Sequence, residues 1–99
     1  MIKVSIKNDR KLITVNGHSG YDVIGKDIVC ASVSATVLTT INAINEFSKN
    51  LIKTNQDEAF IEILVINGSK EVDILINNMI SCLKQIEKQY KKYINIEEV

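Results

Sequence analysis

The sequence predicts one α+β domain, a two-layer sandwich in which two helices cover one face of a mostly antiparallel sheet. Short segments with alternating apolar residues indicate half-buried strands, and two longer segments with an apolar residue at every third or fourth position indicate helices. Their order along the chain is ββαββαβ. The 99 residues, of which 45% are hydrophobic, suffice for one core, so residues 1–99 are predicted to form a single domain.

The first two strands are predicted to pair as a hairpin. Ile2, Val4 and Ile6 alternate with polar residues, which is typical of a strand with one buried face. Asn8-Asp9-Arg10 is a turn signal, and residues 12–15 read LITV and resume the strand pattern. This second strand should end at Asn16, directly before the loop that holds the only histidine.

The period of the apolar residues changes at Asp27, which is a natural N-cap for a helix that continues to about Ser48. Many residues of this helix are β-branched, which lowers intrinsic helix propensity. Packing against a sheet must therefore supply most of its stability. The positions expected to face the sheet are Val29, Val33, Val37, Thr40, Ile41 and Ile44.

The second half of the chain repeats the arrangement of two strands and a helix. Residues 51–54 and 59–66 are predicted strands separated by the polar residues 55–58, and the second strand is apolar almost throughout, which suits a central strand. Ser69 can cap a long amphipathic helix that should continue to about Tyr93. A short last strand is expected around residues 94–96.

Composition excludes several classes of function. The 12 Lys and Arg balance the 12 Asp and Glu, so no basic field favours direct binding of nucleic acid. The N-terminus lacks a signal peptide, and no window approaches the roughly 18 apolar residues of a membrane span, which predicts a cytoplasmic protein without a membrane partner. Two cysteines and one histidine match no familiar zinc spacing, so neither a metal nor a cofactor is expected. Cys82 lies in the middle of a helix and is interpreted as a core thiol.

Cys30 and His18 are the candidates for chemistry. Cys30 falls in the first turn of the first helix, where free backbone N–H groups and the helix dipole favour a thiolate and could hold an oxyanion. Alternatively, it is a small apolar residue packed beside Val33. His18 follows a strand end and could act as a general base, or it could be a solvated loop residue. Together they would form the minimal unit for acyl transfer.

Two neighbours of Cys30 allow two interpretations each. Asp27 is an N-cap, and it could also orient or charge-stabilise His18. Ser34 lies one turn after Cys30 on the same helix face, so its hydroxyl could bond within the site or to a helix carbonyl in the preceding turn.

The motif GHSGY at residues 17–21 and the segment GKDIVCASVS at residues 25–34 together resemble the signature of the ribosomal-processing cysteine proteases called Prp. The family pattern has a GHA-type start, a variable glycine-containing loop and a GxDIVCAAVS segment. The strand pairs, the second helix and the chain end follow the family outline. Ser19 and Ser32 depart from the pattern, since alanine is usual at both positions, which puts fine specificity in doubt more than activity.

The resemblance implies a cysteine endopeptidase, commonly a homodimer, that removes an N-terminal extension from ribosomal large-subunit protein twenty-seven. By matching position, Cys30 would be the nucleophile and His18 the general base, with Gly17, Asp27 and Ser34 in support. The residues that would form a mobile flap over the substrate peptide are Ser19, Gly20, Tyr21, Asp22, Val23, Ile24, Gly25 and Lys26. Of these, Tyr21, Val23 and Ile24 are candidates for apolar contact with the peptide.

Two other functions remain open from the residues alone. A non-catalytic, ribosome-associated domain that binds protein would need no thiol. A redox switch on Cys30 would tolerate loss of His18, although no resolving cysteine lies nearby in the sequence.

Overall fold

The strands and helices follow the predicted order in the computed structural model, which describes residues 1–23 and 26–99. The α+β prediction is confirmed. The elements are β1 (Ile2–Lys7), β2 (Leu12–Asn16), α1 (Ile28–Phe47), β3 (Ile52–Asp57), β4 (Phe60–Val65), α2 (Lys70–Gln89) and β5 (Ile94–Glu98).

The five strands form one sheet in the order β3-β4-β2-β1-β5. The β1–β2, β2–β4 and β3–β4 pairs are antiparallel, and only β1 and β5 are parallel, so the sheet is mostly antiparallel as predicted. The β1–β2 turn contains Asn8, Asp9 and Arg10 with φ of 54°, 54° and 65°. Asn and Asp tolerate this left-handed conformation better than most residues, which explains why they signal a turn here.

Both helices pack on one face of the sheet, where a single core joins them to the strands. In β1, Ile2, Val4 and Ile6 are buried, whereas Lys3 and Lys7 are exposed on the open face. The helix residues predicted to face the sheet in α1 are all buried, and α2 adds Val72, Ile76, Met79, Ile80 and Leu83. The sandwich is therefore two layers thick, with one sheet face open to solvent.

Two boundaries differ from the prediction by three residues or more. β3 continues to Asp57, and only Glu58 and Ala59 separate it from β4, because an edge strand gains ladder hydrogen bonds without needing apolar side chains. β4 is an interior strand, as its apolar sequence predicts, since it pairs with β3 on one side and with β2 on the other. α2 ends at Gln89 rather than at Tyr93, because the chain turns at residues 91–93 to bring Ile2 N–H within 2.9 Å of the Tyr93 carbonyl oxygen.

Helix α1 is long and apolar enough to cross a membrane by length and composition alone, contrary to the expectation that no window approaches such a span. In this structure it is a core helix, because one side packs on the sheet and against α2. Its hydroxyl side chains satisfy themselves locally: those of Ser32, Thr36 and Thr40 donate to carbonyl groups one turn earlier.

Candidate active site

His18 is placed by the glycine before it. Gly17 adopts φ of +98°, and a Cβ atom there would lie 2.7 Å from the Met1 carbonyl oxygen, so no other residue fits without displacing the backbone. Its N–H donates to the Ala59 carbonyl oxygen at 2.8 Å. The end of β2 is thus fixed beside the β3–β4 turn, and His18 leaves it with an exposed side chain.

Cys30 is placed by the start of α1. Asp27 is the N-cap, as predicted, and its Oδ1 accepts the backbone N–H of Val29 at 3.0 Å and of Cys30 at 2.9 Å. The Ala31 N–H donates to the Asp27 carbonyl oxygen at 3.1 Å. These three N–H groups are therefore occupied, so the sequence expectation that the helix start offers free donors to an oxyanion does not hold for them.

The other carboxylate oxygen of Asp27 fastens the loop to the helix. Asp27 Oδ2 accepts the Ser19 hydroxyl, the Tyr21 N–H at 3.2 Å and the Asp22 N–H at 3.4 Å. His18 is not among its partners, so of the two predicted roles the structure supports capping and gives no contact for orienting the imidazole. Asp27 instead joins both ends of the loop.

The hydrogen bonds to Asp27 also determine its charge. Burial raises the pKa of this carboxyl group, but the bonds from the Ser19 hydroxyl and from the N–H groups of Cys30, Asp22 and Val29 outweigh burial and lower the pKa to about 2. Asp27 is therefore ionised at neutral pH. A buried carboxylate with this many donors is a stable tether between the loop and the helix.

The sulfur of Cys30 has one donor among the residues that the structure describes. The Ser19 N–H donates to Cys30 Sγ at 3.3 Å. Cys30 is half-buried, so its thiol is neither a closed core residue nor fully solvated. The sulfur is therefore reached by a backbone donor from the loop as well as bordered by open space.

Two cavities meet at Cys30 and His18. One, of about 290 Å³, lies on the loop side and is also lined by Gly20, Asp22, Asp27, Ala31 and Ser34. The other, of about 320 Å³, lies on the sheet side and adds Gln56, Asp57, Ala59 and Ile61 among its walls. Cys30, His18 and Ser34 line both. The thiol and the imidazole thus face the same space, with room on either side of them.

Ser34 borders the two cavities at Cys30, whereas Cys82 does not. In the part of the chain that the structure describes, the Ser34 hydroxyl has no helix carbonyl as partner, unlike Ser32 and Thr36, and it borders the space in front of Cys30. Cys82 is half-buried in α2 and lines a separate cleft between the helices. It is remote from the cavities at Cys30.

The remaining residues of the predicted flap differ in their surroundings. Tyr21 lines neither cavity; its ring packs edge-on against Tyr90 and Tyr93, with centroids 5.7 and 5.1 Å away. Gly20 and Asp22 line the loop-side cavity. Val23 and Lys26 are exposed, and Lys26 N–H donates to the Val23 carbonyl oxygen at 3.0 Å. Ile24 and Gly25 lie outside the described residues.

Local sequence patterns could not identify several residues around the site. Gln56 and Asp57 belong to β3, and Tyr90 and Tyr93 follow α2, yet all four reach the loop or the cavities. No signal in their own segments points to this, because their proximity arises from strand pairing. Within residues 1–23 and 26–99, no group of three His, Cys, Asp or Glu side chains could hold a metal ion.

Cys30 and His18 line the same two cavities on an α+β scaffold, and a thiol and an imidazole are the groups that acyl transfer by a cysteine protease requires. Comparison with known proteins gives the same class. The chain belongs to the cysteine protease Prp family, whose model matches residues 1–95.

Relatives match over nearly the whole chain. A ribosomal processing cysteine protease Prp from Staphylococcus aureus is 30% identical over 103 residues, covering 97% of each chain. A crystal structure of an S. aureus ribosomal processing protease Prp with a covalently linked product peptide has a TM-score of 0.92 and 26% identity, covering 100% of both chains. A second S. aureus structure, with a substrate peptide, has a TM-score of 0.87, 26% identity and the same coverage.

Proposed function

We propose that the protein hydrolyses a peptide bond with Cys30 as nucleophile and His18 as general acid and base. The observation that carries this proposal is that both side chains line both cavities, so a peptide lying through the cavities would pass directly over them. The covalently linked product peptide in the S. aureus relative supports a covalent mechanism in the family.

The reaction follows from the groups present. The Cys30 thiolate attacks the scissile carbonyl carbon, forming a C–S bond while the carbonyl oxygen takes the negative charge. Protonated His18 gives its proton to the leaving amine as the C–N bond breaks. His18 then takes a proton from water, which attacks the thioester and releases the carboxylate product and the thiol. Ser34 and Asp27 support the site from the helix start.

The proposed substrate is the N-terminal extension of ribosomal large-subunit protein twenty-seven. The family resemblance implies this protein, and the relatives named as ribosomal processing proteases agree with a ribosomal substrate. Two cavities on opposite sides of the reacting groups suit an extended peptide, with residues on both sides of the cleaved bond.

The loop from Ser19 to Lys26 is the proposed flap over the peptide. Its first part is tied to Asp27 through Ser19, Tyr21 and Asp22, and Tyr21 also rests on two further tyrosines. Opening the flap from Ser19 onward would therefore break several contacts at once. Peptide contacts that replace them would couple closure to the correct substrate.

Mass spectrometry of a synthetic peptide that spans the extension tests the assignment. Cys30→Ala should lower cleavage by about 10⁴-fold or more, and His18→Ala by about 10²–10⁴-fold, because each removes a reacting group. Cys82→Ala is the matched control, since it removes the other thiol from a cleft away from the site and should leave cleavage intact.

Undiminished cleavage by Cys30→Ala would overturn the proposal. Binding of the peptide without cleavage by any form of the protein, including the wild type, would instead favour a non-catalytic, ribosome-associated domain.

We also propose a homodimer, as the resemblance implies, located in the cytoplasm, as the composition predicts. Along its outer side α1 exposes two large apolar side chains, Ile28 and Leu38. In the proposed homodimer, the same surface of a second chain packs against it. The balanced charge of the chain supports the absence of a direct nucleic-acid partner.

A further inference from the structure

We propose that Ser19 is a positioning residue, whose side chain, tied to Asp27, holds its own backbone N–H against the sulfur of Cys30. In that position the N–H stabilises the thiolate. The inference rests on the proposed function insofar as Cys30 is the nucleophile, and it adds a residue that the resemblance assigns only to a flap.

Ser19 is held by hydrogen bonds from both its side chain and its backbone N–H. Its side chain is buried, with 3% of the residue exposed. The hydroxyl donates to Asp27 Oδ2 and accepts the Tyr21 N–H at 3.1 Å, so it links the helix cap to the loop backbone. The N–H of the same residue donates to Cys30 Sγ at 3.3 Å. Because the hydroxyl bonds restrain the position of the Ser19 backbone, a displacement of this backbone would break them together with the contact between the N–H and the sulfur.

The charged groups around Cys30 make that donor important. Asp22 and Asp27 line the loop-side cavity and Asp57 lines the sheet-side cavity, and each carboxylate disfavours a second negative charge nearby. His18 lines both cavities together with Cys30. The Val29 and Cys30 N–H groups are taken by Asp27. The Ser19 N–H is thus the described backbone donor that reaches the sulfur.

Ser32 provides a matched comparison within the same helix start. Like Ser19, it stands where the family pattern has alanine, but it is exposed and its hydroxyl donates to the Ile28 carbonyl oxygen at 2.6 Å. Among the described residues, no hydrogen bond joins Ser32 to Asp27 or to the sulfur of Cys30. Replacing either serine by alanine removes one hydroxyl, and only the change at Ser19 removes the tether.

The test measures the reactivity of Cys30 directly. In a Cys82→Ala background, Cys30 is the only thiol, and its alkylation by iodoacetamide is followed from pH 5 to pH 10. Ser19→Ala should raise the pH at which the rate is half-maximal by about 0.5–1 unit, slowing alkylation at low pH by about 3–10-fold. Ser32→Ala should leave the profile of the background protein unchanged.

Circular dichroism and urea unfolding establish that both variants are folded at the pH values used. A Ser19→Ala profile that overlays the background profile in folded protein would overturn the proposal. An equal shift in Ser32→Ala would also overturn it, because the effect would then come from any hydroxyl at the helix start.

Peptide cleavage separates this inference from the proposed function. Ser19→Ala should lower kcat with little change in KM, whereas a raised KM at unchanged kcat would overturn the positioning role in favour of peptide binding. A shifted alkylation profile in a protein that cleaves no peptide even as wild type would support the tether and reject the protease assignment for this chain.

Discussion

Asp27 gathers five hydrogen-bond donors on a single carboxylate. Two are backbone N–H groups of the first turn of α1, and three come from Ser19, Tyr21 and Asp22 in the loop. One charged residue therefore fixes the helix start that carries Cys30 and the chain that follows His18. The acceptor must be ionised to hold all of these donors.

Asp27→Asn tests how much this tether stabilises the protein. The pKa of Asp27 lies at about 2 in the folded state, below the ordinary value of 3.8. A lowered folded-state pKa gives stability that is present above pH 4 and is lost as the pH falls toward 2, amounting to about 2 kcal/mol. The free energy of unfolding, measured by urea denaturation, should therefore fall more steeply over this pH range for the wild type than for Asp27→Asn.

At neutral pH the same variant should be less stable than the wild type by roughly that amount. Asp73→Asn, in the exposed first turn of α2, removes a carboxylate without these donors and serves as the control. Identical pH slopes for wild type and Asp27→Asn would contradict the tether.

Among the secondary-structure elements, α2 illustrates how packing rather than propensity stabilises the fold. Its buried stripe lies against the sheet and α1, while its other side faces solvent. Ile76 is 2% exposed and Ile74 is 56% exposed, although both are isoleucines one half-turn apart in one helix. Comparing these two positions therefore separates the effect of burial on stability from the effects of residue type and helix propensity.

Ile76→Ala should lower the free energy of unfolding by about 2–5 kcal/mol, because it leaves a cavity in the core. Ile74→Ala should change it by less than about 0.5 kcal/mol, since its side chain is already largely in water. Urea denaturation of the two variants measures both values. Comparable losses would mean that Ile74 is covered in solution by a contact absent from the monomer.

For the whole molecule, the position of the site follows from the sheet order. β2 delivers His18 at the edge where the β3–β4 turn and the start of α1 come together, so the cavities receive walls from four segments of the chain. The helices cover one sheet face only. The other sheet face and the outer side of α1 are the surfaces left for contacts with other chains.

The outer side of α1 is the surface proposed to form the homodimer. Leu38→Lys should shift the protein toward monomer in analytical ultracentrifugation, because it places a charge on the exposed apolar side of α1. Ile74→Lys adds the same charge at an exposed apolar position on α2 and should not alter the mass. A wild-type protein that sediments as a monomer at all concentrations would reject the homodimer.

The sequence alone determined the order of elements, the N-caps at Asp27 and Ser69, and the helix face that packs on the sheet. These depend on residue spacing and on local hydrogen bonds between neighbours in the chain, which a pattern records directly. The motif around His18 and Cys30 likewise indicated the family that the comparison with known proteins then established.

Only the tertiary structure decided what Asp27 binds, where Tyr21 lies, and that Gln56 and Asp57 reach the cavity at Cys30. It also decided that β2 lies in the middle of the sheet, between β4 and β1. These features depend on residues that are distant in the chain and adjacent in space. Local periodicity carries no information about such contacts, because strand register and loop path are fixed by the packed core as a whole.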